Sequence, residues 1–348
     1  MTSLQYLEYD ITQNHNSTPV STPVSVSVMA TSDDYDVTTD DVNFRKATAA
    51  DYDDVMSLRP HLYHGMDYLP SQYHHLLHTH TGFCGFIGNQ MVGFILAIII
   101  DDGETIVIRA GRVRKEHENK GIYSRLRKFC LSHFPRTVKR ESFSLFSSDH
   151  KDSSILKGGI LAWQRERITL TAGTATIKNI IKSVTVTNAL RVVNKSLLSE
   201  LFSSKSSPQL FPGDFIVVNS VPYKVRMSNI SYFLTPDRVM YASYSESVKS
   251  SNSPPPVLVS VANQIRCEAG TRFNIDFYGD ICVEEDVTNH IISQMARCLS
   301  ECADNILMYV TYPMNRSDAI LMSVLDKLRW KVKLRGYQYG IEQPVSSD

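Results

Sequence analysis

The most constraining feature of this sequence is a set of three closely spaced apolar runs that leads directly into a charged loop and a helix. The runs cover residues 83–87, 91–100 and 104–113. Glycine-containing turns at 88–90 and 101–103 separate them and predict antiparallel hairpins. Apolar residues then recur at helical spacing over 122–130, before a further apolar run at 142–146. Because a strand–helix–strand unit needs a crossover, this last strand is predicted to lie parallel to the strand before the helix.

The segments around this unit complete the first half of the chain. A short strand is predicted at 43–47, followed by a helix from Thr48 through Leu58 and a second helix at 71–78. The predicted order is therefore β-α-α-β-β-β-α-β, and apolar runs at 159–163 and 168–170 predict its final strands.

The second half repeats the later part of this order, as strand, helix, strand, helix and strand. We therefore predict an α/β fold with a mixed sheet, followed by a second, degenerate copy of the same fold. Residues 1–41 are rich in Ser, Thr and Asp and show no periodicity that could bury a face. The predicted division is a disordered tail over 1–41, a first domain over 42–172, a helical connection over 173–210 and a second domain over 211–348.

Charge and cysteine content exclude several classes of protein. Lys and Arg total 36, and so do Asp and Glu, so no global field directs the protein to nucleic acid or to an anionic membrane. The six cysteines form no C-x-x-C pair and are interpreted as reduced core thiols. The sequence has no signal-peptide pattern and no stretch approaching the ~18 apolar residues of a membrane span. We expect a soluble, cytoplasmic protein with no nucleic-acid or membrane partner.

The charged loop between the third strand and the helix has the clearest chemical meaning. The helix opens at Lys120-Gly121, so several backbone N–H groups at its start lack a helical partner. Such an end attracts anions. Gly121 lets a pyrophosphate approach the backbone, and Lys115 and Lys120 add positive charge. A plain helix cap is the alternative interpretation, since a glycine near a helix start is common.

This junction resembles the coenzyme A loop of the GNAT superfamily, whose motif is Q/R-x-x-G-x-G/A. Glu118 takes the Q/R position, Gly121 the first glycine and Tyr123 the small residue, so only Gly121 matches. Further segments look like the histidine N-acetyltransferase group, in the same order and at similar spacing. They are 64–74, 102–105, 112–113, 120–121 and 127–130 in the first half, and 212–214, 222–223 and 274–276 in the second. The resemblance covers roughly residues 43–342.

The resemblance implies an enzyme that uses acetyl-coenzyme A to acetylate a small amine or amino acid, with the α-amine of free histidine as the group's acceptor. It also implies which residues contact the coenzyme, namely Gly111, Arg112, Val113, Asn119, Lys120, Gly121, Ile122, Tyr123 and Ser124. Two departures stand out. Arg109 lies beside the active cleft where an acidic residue is expected, and the link at 149–158 is shorter than in the relatives.

Direct acetyl transfer needs a neutral amine, a polarised thioester carbonyl and a proton donor for the leaving thiolate. The superfamily implies that a backbone N–H near residues 111–113 polarises the carbonyl. We predict Tyr68 and Glu104 as catalytic residues, and Asp67, Tyr68 and Tyr73 as acceptor-binding residues, with Asp67 facing the imidazole or ammonium of the acceptor. Structural roles stay open for them, such as loop capping at Asp67 and Tyr68 and a turn at Glu104. Tyr123 is either a proton donor or a packing residue.

Two further alternatives concern metals and catalysis. Six histidines lie between His61 and His80, but zinc would need a further ligand and no cysteine lies among them, so we predict no metal site. The rival to an enzyme is a pseudoenzyme or coenzyme A binding module, in which changes at Glu118, Tyr123 and Arg109 have removed catalysis. The sequence leaves the oligomeric state open.

Overall fold

The computed structural model of the protein describes residues 42–147, 159–186, 190–235, 238–244, 256–298, 305–314 and 318–345. The predicted tail and the predicted short link at 149–158 lie outside these ranges. Within them, the chain forms a mixed sheet of 12 strands and a separate two-stranded hairpin. This arrangement confirms the predicted mixed α/β class.

The first half has the predicted β-α-α-β-β-β-α-β order. Its elements are β1 (Val42–Lys46), α1 (Tyr52–Ser57), α2 (Leu69–Thr79), β2 (Thr81–Ile87), β3 (Gln90–Ile100), β4 (Thr105–Val113), α3 (Ile122–Ser132) and β5 (Arg140–Ser147). The strands β4 and β5 are parallel, as the crossover through α3 requires. Thr48 and Asp51 form a capping box just before α1, which fixes where the first helical segment begins.

The connection and the second half follow. Their elements are β6 (Ile160–Gly173), α4 (Thr174–Ser183), β7 (Arg191–Val192), α5 (Lys195–Ser203), α6 (Ser207–Leu210), β8 (Phe215–Val218), β9 (Val221–Lys224), α7 (Ile230–Phe233), β10 (Arg238–Tyr244), β11 (Pro256–Cys267), β12 (Gly270–Gly279), α8 (Glu284–Cys298), β13 (Asn305–Pro313), α9 (Ala319–Lys327) and β14 (Lys331–Pro344). The two strands predicted at 159–163 and 168–170 are one continuous strand, β6.

The two halves exchange their final strands at the centre of the sheet. The strand order is β1-β2-β3-β4-β5-β14-β6-β13-β12-β11-β10-β7. The last strand of the chain, β14, pairs with β5 of the first half, while β6 pairs with β13 of the second half. The two exchanged strands also pair with each other. The predicted boundary at residue 172 therefore falls near the end of a strand that belongs spatially to the other half.

Helices cover both faces of the first-half strands. Successive strand residues point to opposite sides, so each face contributes its own side chains to the core. Phe94 and Leu96 of β3 pack on the side of α1 and α2, whereas Ile95 and Ala97 pack on the side of α3. We call these two sides the α1–α2 face and the α3 face. The hairpin β8–β9 packs with α5, α6 and α7 in a cluster that includes Ile98 and Val107 of the first half, so this core also joins the halves.

No helix within the described ranges is long and apolar enough to cross a membrane. Three cysteines match the expected buried free thiols, namely Cys84, Cys130 and Cys267. Cys282 does not match, because it is exposed in the segment between β12 and α8. For Cys84, burial raises the pKa of the thiol to about 12, which keeps it protonated and unreactive.

The second-half core contains a histidine that makes the stability of the fold sensitive to pH. His290 on α8 is fully buried, and its Nδ1 atom lies 2.7 Å from the Ser260 hydroxyl. Burial lowers the pKa of His290 to about 3. Between that value and the ordinary pKa near 6.5, the unfolded chain binds the proton and the folded chain does not. Because only the unfolded chain binds this proton, His290 lowers the free energy of unfolding as the pH falls below about 6.5.

We expect the free energy of unfolding to fall with decreasing pH between pH 6.5 and 5, with a contribution from His290 that rises to ~1.4 kcal/mol per pH unit. His290→Gln should reduce this slope in urea unfolding curves measured across that range. His75→Gln, at an exposed position, serves as the control and should leave the slope unchanged. Equal slopes for the wild type and His290→Gln would contradict the assignment.

Candidate active site

The strands β4 and β5 lie side by side only near their first residues. Their parallel register covers three residue pairs and ends at Val107 of β4. Beyond that point, β4 continues along β3 to Val113, while β5 continues along β14. The two neighbouring strands therefore diverge. The opening between them gives an extended ligand chain access to a strand backbone, which is the way peptides and similar chains add to a sheet.

A β-bulge in β4 lies beside this opening. Leu96 of β3 pairs with Arg109, and Phe94 pairs with Arg112, so β4 has one more residue than β3 over this interval. Ala110 adopts a left-handed conformation with φ 54°. Without the extra residue, side chains three positions apart would point to opposite faces. The bulge instead allows Arg109 and Arg112 to point to the α1–α2 face together, where each contacts the α1–α2 loop.

Gly111 lies on the α3 face of the bulge, next to the edge of the Tyr123 ring. A Cβ atom added to Gly111 would come within 2.6 Å of Cε2 of that ring. A larger residue at this position would force the ring of Tyr123 to shift. This contact explains how a bulky residue is accommodated at the motif position where a small residue is usual, because the side chain turns back over the strand.

The loop between β4 and α3 has the geometry of an anion site. Asn119 and Gly121 both adopt left-handed conformations, with φ 60° and 71°, and α3 begins directly afterwards. The predicted coenzyme residues 119–124 lie together in this turn and in the first turn of α3. Ile122 is buried against Val92, so only its backbone faces the loop. Residues 111–113 lie in the preceding strand, but the side chain of Arg112 points to the other face.

Glu118, which occupies the Q/R position of the motif, forms an ion pair with Arg59. Both side chains are about one-quarter exposed, at 25% and 26%. Arg59 also donates from Nε to the carbonyl oxygen of Val113 at 2.9 Å, which fixes it against the end of β4. The negative charge in the loop is therefore compensated by a residue that follows α1.

The α1–α2 loop brings two predicted acceptor residues to the bulge. Asp67 is buried, and one of its carboxylate oxygens accepts from Arg112 at 2.5 Å. Its other oxygen accepts from the backbone N–H of Leu69 at 3.2 Å. The structure thus gives the carboxylate a protein partner, where the sequence predicted a contact with the acceptor. Because Arg112 already balances its charge, Asp67 does not present an uncompensated negative charge.

Tyr68, which the sequence predicts as a catalytic and acceptor-binding residue, contacts Arg109. The hydroxyl of Tyr68 accepts from Arg109 Nε at 3.1 Å, and the guanidinium lies 4.8 Å from the centre of the same ring. This combination of a hydrogen bond and a cation–π contact holds both side chains in one geometry.

Two adjoining cavities lie on the α1–α2 face of β4. The smaller, of ≈ 50 Å³, is lined by residues 109–112, Tyr68, the 219–220 turn of the β8–β9 hairpin and Arg272 of β12. The larger, of ≈ 350 Å³, is lined mainly by α1, the start of α2 and the loop between them. Asp67 borders both cavities. Together they form an inter-half pocket, because both halves of the chain supply its walls.

The wall formed by the α1–α2 loop is strained and is supported by the second half. His61, Tyr63 and His64 all have φ between 52° and 55°, which is costly for residues other than glycine. The β11–β12 turn supports the loop through a hydrogen bond from Ala269 N to Gly65 O at 3.0 Å. Backbone strain of this kind occurs at functional sites, where the surrounding structure maintains it.

The structure does not bring Glu104 or Tyr73 to this pocket. Glu104 precedes β4, roughly 20 Å along the strand from the bulge, where it pairs with Lys139, Arg140 and Arg226. Hydrogen bonds from Lys139 and Arg226 lower the pKa of Glu104 to about 2, so it is a poor base. Tyr73 lies on the inner side of α2 and is fully buried. Its hydroxyl donates to Thr48 O at 2.7 Å, and burial raises the pKa of Tyr73. Both predicted roles are corrected: Glu104 belongs to a surface ion-pair network and Tyr73 to the core.

The predicted histidine cluster is dispersed over several environments. His61 lies 3.2 Å from the carboxylate of Glu268, and His74 stacks on Tyr52. Within the described ranges, no three His, Cys, Asp or Glu side chains come together as metal ligands do.

The equivalent junction in the second half is closed. Strands β12 and β13 keep a parallel register over six residue pairs, and β12 pairs with β11 without a bulge. Arg165 of β6 fills the space beyond that register. It donates to Asp276 Oδ1 at 2.8 Å, to Phe277 O at 2.8 Å and to Thr311 O at 3.1 Å. A buried guanidinium thus links the end of β12 to β13, where the first half has an opening.

The fold and its duplication agree with solved structures. A tandem GNAT protein from the clavulanic acid biosynthesis pathway superimposes with a TM-score of 0.53, over 88% of this chain and 100% of its own, at 10% sequence identity. This likeness shows the fold: a GNAT acyltransferase fold in two copies.

Sequence comparison indicates which group of proteins with this fold the chain resembles. The family model for the C-terminal part of histidine N-acetyltransferase matches residues 186–313. The histidine N-acetyltransferase of Oreochromis niloticus is 31% identical over 91 residues, which are 26% of this chain and 27% of that protein. Human probable N-acetyltransferase 16 is 24% identical over 204 residues, 54% of this chain and 55% of that protein. The chain thus spans between about a quarter and half the length of these curated relatives, and it resembles the histidine N-acetyltransferase group.

Sequence reasoning missed several residues that shape the site. Arg59 was not selected, because nothing local connects it to Glu118 across 59 positions. Arg272 and the 219–220 turn were missed because they reach the pocket only through tertiary packing. Arg109 was noticed as a departure from the expected acidic residue, and this was the one available signal for its position in the pocket.

The Arg59–Glu118 pair gives a test of the loop, with the coenzyme A predicted from the sequence as the probe. Glu118→Gln removes a negative charge from the anion site and releases Arg59, so we expect coenzyme A to bind about threefold more tightly, as a partly exposed charge contact of ~0.7 kcal/mol implies. Arg59→Gln should weaken binding, and the double variant should return close to the wild-type affinity. Calorimetry measures all three.

Glu284→Gln is the matched control for this experiment, since it removes the partner of Lys327 in an exposed pair of the second half. It should leave coenzyme A affinity unchanged. If Glu118→Gln binds no more tightly than this control, the carboxylate does not oppose the anion.

Proposed function

We propose that the protein is an acetyl-coenzyme A-dependent N-acetyltransferase that acts on the amine of a small acceptor. The observation that carries the proposal is the divergence of β4 and β5 beside the bulge, with an anion-site loop on one side and the inter-half pocket on the other. A co-substrate with a phosphate-bearing arm and an acceptor can therefore meet at one strand from opposite faces.

The chain's own groups fit the proposed co-substrate. Backbone N–H groups at residues 119–122 suit the pyrophosphate, because they lie at the positive end of α3 and the left-handed residues turn the loop around them. Lys115 and Lys120 supply charge nearby. The backbone of residues 111–113 is the proposed contact for the extended arm and for the thioester carbonyl. We assign coenzyme A to the first half alone, since Arg165 occupies the corresponding space of the second half.

The proposed chemistry is direct transfer. The C–N bond forms between the acceptor amine and the acetyl carbon as the C–S bond breaks; the amine loses a proton, and the coenzyme thiolate takes one up. No enzyme nucleophile is needed. Of the residues predicted for proton transfer, Tyr68 keeps its place at the pocket, and Arg109 fixes its hydroxyl. We propose Tyr68 as the group that carries or positions the proton.

We propose an amino acid as the acceptor, with free histidine as the first candidate because of the names of the relatives. The larger cavity has room for a side chain, and the rings of Tyr52 and His61 line it. Asp67 lies between the two cavities, where its ion pair with Arg112 sets the polarity. In keeping with the balanced charge of the chain, we propose neither a nucleic-acid nor a membrane partner and a cytoplasmic location.

A coenzyme A binding module without catalysis is the second candidate. Two observations favour it: the ring of Tyr123 covers Gly111, and Glu118 places a carboxylate in the phosphate loop. An assay of thiol release from acetyl-coenzyme A with a panel of free amino acids separates the two candidates. Amine-dependent thiol release supports the enzyme, and binding of coenzyme A without release supports the module.

The loop is tested by Gly121→Val. We expect this variant to lose coenzyme A binding in calorimetry and to lose acetyl transfer, because a branched side chain strains the left-handed position and crowds the amides. Gly88→Val is the matched control, since Gly88 also has a positive φ, of 55°, but lies in the β2–β3 turn with no neighbour near its Cβ position. Retained affinity in Gly121→Val, with both variants folded, would remove this loop as the site.

A further inference from the structure

We infer that Arg109 is a specificity-determining residue that binds a carboxylate of the acceptor in the smaller cavity of the inter-half pocket. The inference rests on the proposed function and narrows it to amines that carry a carboxylate. It starts from the departure noted in the sequence, which places a cation beside the cleft where an acidic residue is expected.

Arg109 is 8% exposed, so its guanidinium is almost completely removed from bulk water. Burying a cation is costly unless an anion or several acceptors face it. Within the described part of the chain, its hydrogen bond is the one from Nε to the Tyr68 hydroxyl, a neutral acceptor. Arg109 is also one of the residues that line the smaller cavity.

The carboxylate of Asp67 lines the same cavity but pairs with Arg112. The Asp67–Arg112 distance is 2.5 Å, and Asp67 also accepts from Leu69 N. Arg272 lines the cavity as well and adds a further guanidinium, which lies over the ring of Tyr309. The cavity walls thus carry three guanidinium groups and one carboxylate, so their local charge favours an anionic ligand group.

The two cavities differ in volume and can hold different parts of the acceptor. The smaller, of ≈ 50 Å³, borders Gly111 and has room for a small group such as a carboxylate. An arginine fork matches a carboxylate with two parallel hydrogen bonds. The larger cavity, of ≈ 350 Å³, then receives the remainder of the acceptor. An α-amino acid fits this arrangement, because its amine and carboxylate share one carbon beside β4.

Paired acceptors that differ by one carboxylate provide the test. Histidine and histamine differ only in the α-carboxylate, and so do glutamate and 4-aminobutyrate, although 4-aminobutyrate keeps its other carboxylate. The wild type should acetylate histidine or glutamate with a KM at least tenfold below that of its decarboxylated partner. If 4-aminobutyrate and glutamate are acetylated with the same KM while histamine is not acetylated, Arg109 binds a side-chain carboxylate. If histamine and 4-aminobutyrate are acetylated with the same KM as histidine and glutamate, the inference is overturned.

The residue itself is tested with Arg109→Gln and Arg109→Lys. We expect Arg109→Gln to raise the KM of the carboxylate-bearing acceptor by about ten- to hundredfold, as loss of a charged hydrogen-bond partner implies. The KM of its decarboxylated partner and the KM of acetyl-coenzyme A should not change, whereas kcat should fall for every acceptor because Arg109 also holds the Tyr68 hydroxyl. Arg109→Lys should recover part of the discrimination, because it keeps the charge but loses the fork. Arg136→Gln, at an exposed arginine after α3, is the control.

Calorimetry of the same acceptor pairs, in the presence of coenzyme A, separates this inference from the proposed function. If no amine is acetylated but the amino acid binds and Arg109→Gln abolishes that binding, the transferase proposal fails and the carboxylate site stands. If amines are acetylated and Arg109→Gln changes the KM of every acceptor equally, the transferase stands and the carboxylate site is overturned. Thermal unfolding of each variant distinguishes loss of binding from loss of the fold.

Discussion

The pairing of β6 with β14 is the constraint on which the rest of this structure depends. These strands join over eleven residue pairs at the centre of the sheet, and each belongs in sequence to one half and in space to the other. Trp163 of β6 lies across Gly340 of β14, so the indole covers a strand position that has no side chain. Because main-chain hydrogen bonds run through this seam, the two halves cannot separate without breaking the sheet.

The seam explains why the candidate site is built between the halves. With the two copies locked in one sheet, the β8–β9 turn and β12 lie against the bulge of β4, and the β11–β12 turn supports the strained α1–α2 loop. The left-handed residues His61, Tyr63 and His64 persist only when their surroundings hold them in place. The second half therefore supports and shapes the pocket, although its own cleft is closed.

The two copies differ through two local features. In the first, one extra residue in β4 and a short parallel register open the cleft, whereas in the second an unbulged β12 and the Arg165 guanidinium close it. A buried arginine that bonds to backbone carbonyls at both strand ends ties them together. Within the described residues, the closed copy supplies walls to the pocket of the open copy.

The sequence by itself determined the element order of the first half, the order β12-α8-β13-α9-β14 of the second half and the parallel crossover through α3, because hairpin turns and helical periodicity are local features. It also selected Asp67 and Tyr68, which line the smaller cavity. Only the tertiary structure decided that β14 and β6 exchange places, that Glu104 and Tyr73 lie away from the pocket and that Arg59, Arg109 and Arg272 take their present partners. These outcomes depend on contacts between residues far apart in the chain, and such contacts leave no periodic signal in the sequence.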